Sequence, residues 1–344
     1  MKPTKVSIPE ELKADLPRTT WGKILSATPV VMAVVATMLA GLASSEMTRA
    51  QYDRSLGAQQ QSKAGDQWSF FQAKRLRGAI QRNTADLLQT MAQVRAFEPA
   101  ALRQAAEQLQ TQASPPGSVA LGKQLLGVLE SPGGQQALTF LRTGEAPAAP
   151  TGLTLDPQTR AAMEGVETSM PDTEMKGLLA QVSLDSLNAS LKAARAQAQA
   201  YDAATKPVNQ AIDQMDNLLA REATLRQNPA AAGLGSSGSE AGLSLVRDFT
   251  AARLRYAALR YELEARLNQT IANLYELQVR KSNISAEHHH LRSQRFFFGM
   301  LAAQAGVIIA TFAMAARNRN LLWSLAAGAG LVAIAFAVYV YLYT

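Results

Sequence analysis

Three stretches without one charged residue, at 24–43, 296–316 and 321–343, constrain this chain of 344 residues more than any other feature. Each has the length a helix needs to cross a bilayer, since about 20 residues rising 1.5 Å apiece span a hydrocarbon core of roughly 30 Å. Lipid offers the backbone no hydrogen bonds, so helix is the conformation these stretches must take. Pro29 falls near the start of the first, where a missing N–H costs least. Only residues 317–320 separate the last two, which makes them an antiparallel hairpin. A polar segment, 1–23, precedes the first stretch, and the apolar run outlasts the core of a cleavable signal. An uncleaved anchor is expected.

Charge then gives an orientation. Lys and Arg total 34 against 27 Asp and Glu, a formal charge of +7. The tail holds Lys2, Lys5, Lys13, Arg18 and Lys23, and the hairpin loop holds Arg317 and Arg319. Three crossings put tail and loop on one side, and the positive-inside bias makes that side the cytoplasm, with the central region outside. Trp21 and Trp323 would share the inner interface; Tyr339, Tyr341, Tyr343 and Phe296, Phe297 and Phe298 would lie at the outer one. Elsewhere the basic residues are dispersed among acids, so the charge is a topology signal and no nucleic-acid partner is expected. With no Cys, disulfides, thiolate metal sites and Cys nucleophiles are excluded.

The region 44–295 is rich in Ala, Gln and Leu and lacks period-2 alternation, so it reads as helix. Phe70, Ala73, Ile80, Thr84, Leu87, Met91 and Val94 fall on a stripe of 3-4 spacing, with Arg77 in its gap. Leu245, Phe249, Ala252, Tyr256, Leu259 and Leu263 form a second such stripe, which drifts through Leu267, Ile271 and Leu274. The economical expectation is that these two stripes pack on each other as a coiled-coil stalk. Between them, Pro/Gly segments at 114–117 and 131–134 and linkers at 144–152 and 228–240 break the pattern. Helix is expected over 174–206, interrupted at Pro207, and again over 208–227. The expected fold is an all-α membrane protein with three transmembrane helices, a long helical coiled-coil stalk and an inserted helical head between spans one and two. Its parts are a tail (1–23), span one (24–43), a stalk helix (44–113), the insert with its linkers (114–240), a second stalk helix (241–295), span two (296–316), a basic loop (317–320) and span three (321–343).

Catalytic chemistry finds little support. Gly233, Gly235 and Gly238 match a dinucleotide fingerprint formally, but they follow a helix end instead of a strand, so they read as linker. His288, His289 and His290 are the only histidines. Adjacent helical residues point about 100° apart, so three in a row cannot close one tetrahedral site. Glu287 and His290 share a face, which would permit a metal or heme site completed by another subunit; with His288 they are the candidate ligands, and an interfacial role is the plainer reading. Glu262 and Glu264 point to different faces, while Asp213 and Asp216 share one that reads as a solvated edge. No catalytic residue, metal or cofactor is expected, and the chain is not expected to be an enzyme.

Within the spans no ionisable residue lies away from the terminal tyrosines, which argues against proton relays and ion-coupled carriage. Small residues recur four apart instead: Thr37 with Gly41, Ala302 with Gly306, Gly306 with Ala310, and Ala326 with Gly330. Such spacing lets helix backbones approach closely. Outside the spans, Trp68, Phe70 and Phe71 precede Lys74, Arg75 and Arg77, the best candidates for a partner contact.

The segment carrying them, Asp66, Gln67, Trp68, Phe70, Phe71, Gln72, Ala73 and Lys74, resembles the signature of an uncharacterised family of bacterial membrane proteins, domain of unknown function 4337. Phenylalanines stand where that family usually has tyrosines. Residues 287–304 are similar to its closing portion, so the resemblance covers 24–91 and 260–342 and leaves the insert outside it. It implies one span, a helical region and a closing pair of spans in a bacterial inner membrane; the orientation expected from charge then makes the central region periplasmic. The resemblance implies no activity. The function expected is a non-enzymatic scaffold or accessory subunit, partnered by membrane lipids and by itself or another integral membrane complex. Alternatives are a subunit of an oligomeric channel or transporter, lined by Gln304 and Thr311, and a metal- or heme-binding subunit of a membrane enzyme.

Overall fold

The structure, a computed structural model, describes residues 20–111, 117–150, 153–226, 237–315 and 319–343. These form helices α1 (Thr20–Met91), α2 (Pro99–Thr111), α3 (Ser118–Glu130), α4 (Pro132–Thr143), α5 (Pro157–Glu167), α6 (Asp172–Gln181), α7 (Leu184–Arg226), α8 (Ser237–Ala315) and α9 (Arg319–Tyr343). No strand occurs among the described residues. Residues 1–19 of the tail, Arg317 in the basic loop, Gly233 and Gly235 lie outside them. Among the described residues three helices are long and apolar enough to cross a membrane: Ser26–Met91, Gly242–Met314 and Asn320–Tyr343. The chain divides into two compact units, one of Met1–Gln59 with Val279–Thr344 and one of Gln60–Gln278.

In the first unit, parts of α1 and α8 pack with α9. Ala36, Leu39 and Ala43 of α1 bury against Phe296 and Ala303 of α8 and Ala333 and Val340 of α9. The polar side chains in this apolar region bond back to their own helix. The hydroxyls of Thr28, Thr37, Thr311 and Ser324 donate to the carbonyls of Ile24, Ala33, Val307 and Asn320. A hydroxyl bonded four residues back leaves no unsatisfied donor in an apolar surround.

The second unit gathers α2 to α7 around part of α8. Its core joins Phe97, Leu102, Leu125, Leu129, Leu138 and Leu141 to Val208, Ile212 and Met215 of α7 and to Phe249 and Tyr256 of α8. Start signals are explicit. Ser131 caps α4, its hydroxyl accepting from Gly134 N at 3.0 Å with Pro132 in the first turn, and Gly144 ends that helix at φ 69°. Asp156 caps α5 through Gln158 N and Thr159 N.

Three helices differ from those the sequence predicts. The helix expected over 44–113 is interrupted: α1 ends at Met91, residues 93–98 are non-helical, and Pro99 opens α2. Phe97 is buried there, 5.7 Å edge-on from Phe249, and Arg95 N donates to Asp248, so tertiary contacts hold the break. The helix expected over 174–206 is divided near Val182, which is buried, and Ser183 accepts from Ser186 N to start α7. Pro207, expected to end a helix, lies inside α7. Proline removes one intrahelical bond, but burial of Val208, Ala211, Ile212 and Met215 just beyond it draws the helix through. Gly133 packs against the Pro207 carbonyl, where an added Cβ would stand only 2.8 Å away.

The two stripes expected to meet do not meet. On α8, Phe249, Ala252 and Tyr256 bury in the second unit's core. On α1, Phe70, Ile80, Leu87 and Met91 are exposed. What packs α1 on α8 is a different set of residues, one helical position away.

Candidate functional site

Small residues at seven-residue spacing make the α1–α8 contact. In the second unit, α1 presents Ala64, Phe71, Gly78 and Ala85, and α8 presents Ala251, Ala258, Ala265 and Ala272. All four α8 alanines are buried, as are Ala64 and Ala85. A Cβ at Gly78 would lie 3.3 Å from the Ala258 carbonyl and 3.4 Å from Tyr261 Cβ, so the backbones approach closely there. Partner numbers fall along α8 as they rise along α1, from Lys74–Glu264 to Gln89–Arg255 at 2.6 Å, which makes the pair antiparallel. A seven-residue repeat keeps one face turned to its partner, and Ala and Gly at that position shorten the interaxial distance. Polar residues flank the seam. Lys74 and Arg260 (3.0 Å) both pair with the buried Glu264, and Arg82 and Arg266 each reach Glu262 at 2.7 Å. Those two arginines hold the Glu262 carboxyl below its usual range.

The aromatic and basic candidates divide between two faces. Phe71 and Lys74 turn toward α8, with Lys74 Nζ 5.4 Å from the Tyr261 ring centre. Trp68 meets Phe71 edge-on at 5.5 Å, and Arg75 lies 5.9 Å from the Phe71 ring centre. Phe70 and Arg77 are exposed. Trp68 and Phe71 are half-buried against each other, Phe71 at a seam position, while Phe70 belongs to the uncovered stripe.

In the first unit the same spacing recurs as Ala36, Ala43, Ala50 and Gly57 on α1 and Val279, Ala286, Ser293 and Met300 on α8. Ser293 Oγ donates to the Ala43 carbonyl at 2.7 Å, and Ser285 Oγ donates to Asp53 at 2.6 Å. Between these contacts sits Glu46, 7% exposed, a residue that no sequence motif singles out. His289 Nδ1 lies 2.5 Å from one of its oxygens, while Arg292 and Arg49 approach the other at 3.6 and 3.7 Å. The seven-residue spacing of Leu39, Glu46 and Asp53, three positions on from the alanine row of α1, is the one signal that could have found it. His289 is thus a partner of a carboxylate. His290 Nε2 lies 3.0 Å from the Gln294 amide, and His288 meets His289 edge-on at 5.8 Å. Among the described residues no three His, Asp or Glu side chains converge on a metal position. Glu287, His288 and His290 are not brought together as a ligand set.

The small residues of the spans also divide. Met32 of α1 lies over Gly306 of α8 and Gly330 of α9: an added Cβ would stand 2.1 Å from its Cε at Gly306 and 2.4 Å from its Sδ at Gly330. Ala310 and Ala326 are fully buried, and Ala302 is half-buried. Thr37 and Gly41 are exposed, and nothing lies within 4 Å of a Cβ built on Gly41. Gln304 and Thr311 are exposed on α8 instead of facing a common interior.

Among the described residues, three spanning-length helices and a remainder that is mostly helix and without strand define an all-α protein of membrane type. Residues 21–116 match the family model described as Domain of unknown function (DUF4337). The matched segment contains nearly all of α1 and the whole of α2, and hence one half of the seam; residues 287–304 lie beyond it. No curated protein and no solved structure matches the chain.

Proposed function

We propose that this protein is a non-enzymatic scaffold or accessory subunit of a bacterial inner membrane, organised by its two long helices. The observation that carries this reading is the Ala/Gly heptad seam between α1 and α8. Close backbone packing along such a seam makes a stiff element suited to holding partners at a distance, and its ionic groups are engaged in cross-helix pairs. The basic tail and loop put the N-terminus in the cytoplasm and the second unit in the periplasm. Span one, with Thr37 and Gly41 uncovered, and the uncovered stripe of α1 are the surfaces through which it would assemble with itself or with another membrane protein. Gentle purification in native lipid, with the assembly weighed and its chains identified, tests this. The expected result is an assembly larger than one chain; a monomer with no co-purifying chain contradicts it. The runner-up reading, a channel or transporter subunit, predicts conductance or flux from the purified assembly in planar bilayers, and silence there removes it.

A further inference from the structure

We infer that the exposed stripe of α1 is covered by the same stripe of a second copy of this chain, forming a two-chain coiled coil in the second unit. The inference deepens the scaffold reading and rests on it. Phe70, Arg77, Thr84 and Met91 recur every seventh residue, with Ala73, Ile80 and Leu87 between them. This is a complete heptad seam, displaced from the covered one by a single residue, or about 100° around the helix. Phe70 is 54% exposed, Ile80 51%, Leu87 57% and Met91 78%, and Leu76 beside them is 63% exposed.

Area argues that something covers it. Five such side chains expose roughly 600 Å² per copy, the top of the range a monomer usually leaves in one patch. Paired with itself the stripe buries about 1,200 Å², the lower bound of a stable specific interface. Confinement of both copies to one membrane raises their effective concentration and offsets the modest area.

The repeat argues that the cover is a helix with the same spacing. The other large-residue stripe of this chain, on α8, is buried in the core, so among the described residues the uncovered complement is α1 itself. Self-complementary faces close into twofold dimers. Arg77 and Thr84 interrupt the apolar row; polar residues at such positions fix register and weaken association. Gly41, in the other unit, independently offers a surface on which a second helix can lie close.

The chain has no Cys, so single cysteines report directly. Ala73→Cys, Ile80→Cys and Leu87→Cys would be oxidised in native membranes, alone and in pairwise co-expression, beside Gln72→Cys, Ala79→Cys and Asp86→Cys, each about 100° around the helix from its neighbour in the stripe. The expected result is adducts of twice the chain mass at 73, 80 and 87, singly or in mixed pairs, and none at 72, 79 and 86. Adducts without that period, adducts of any other mass, or no adducts overturn the inference. As a second measurement, Arg77→Leu should tighten the dimer of purified protein at least tenfold and Ile80→Asp with Leu87→Asp should loosen it by as much, with the helical dichroism of each variant unchanged. Unaltered dimerisation in both sinks the proposed face. If the adducts fail while the purified wild-type assembly still exceeds one chain, this face is wrong and the scaffold reading stands; a partnerless monomer removes both.

Discussion

At the scale of single residues, buried ionic groups and caps hold the structure at identifiable points. Asp156 is the clearest. Hydrogen bonds from the Ser186 and Thr159 hydroxyls and from the start of α5 hold its carboxyl down to about 2, against an ordinary 3.8. A folded-state value below the unfolded one contributes stability that is complete above about pH 4 and is lost as pH falls through 2. Asp156→Ala should therefore cost about 1 kcal/mol at pH 7, the usual cap contribution, and almost nothing near pH 2; denaturant titration at the two pH values measures the difference. Glu264 makes a sharper case, because it is buried between Lys74 and Arg260. Glu264→Ala takes the carboxylate from two half-buried cations and should cost about 2 kcal/mol, read by the same titration. Tyr256 is pushed up to about 12 by burial, and its hydroxyl lies 3.0 Å from Asn209 Oδ1, so it stays neutral and structural.

At the scale of elements, glycine contacts separate the faces of α1 and the spans. Gly65 has open space where its Cβ would be, so Gly65→Ala should stabilise the helix by up to about 1 kcal/mol through propensity alone. Gly78 abuts the Ala258 carbonyl, so Gly78→Val should push α1 from α8 and cost about 2 kcal/mol. Comparing their thermal midpoints checks both signs. In the first unit, Gly306→Leu should disrupt the packing over Met32 while Gly41→Leu leaves it intact, which protease resistance in detergent would report. The helix breaks show why the elements are only half legible in the sequence. Pro99 and Ser183 carry ordinary start signals that a continuous apolar pattern conceals, whereas the passage of α7 through Pro207 depends on residues distant in sequence.

At the scale of the whole molecule, the testable statement is topology. If the N-terminus is cytoplasmic, Glu145→Cys, at an exposed position of the second unit, reacts with a membrane-impermeant maleimide added to intact spheroplasts. Protection there, with labelling only after lysis, would reverse the orientation. The three spanning segments, the helical class and the likeness of residues 21–116 to the family model are all legible in the sequence, because absence of charge over a bilayer's length and helix-forming composition are local properties. The candidate site is legible only in part. Trp68 to Arg77 stands out as one segment, but which of its side chains face inward is a matter of a single helical position. The α1 sequence carries two heptads, and large apolar residues make the more conspicuous one. Tertiary structure covers the other, since Ala and Gly permit the shortest distance between helix axes. Glu46 and its cations become a cluster only when α1 and α8 lie antiparallel, for no local pattern relates His289 to a residue more than two hundred positions earlier.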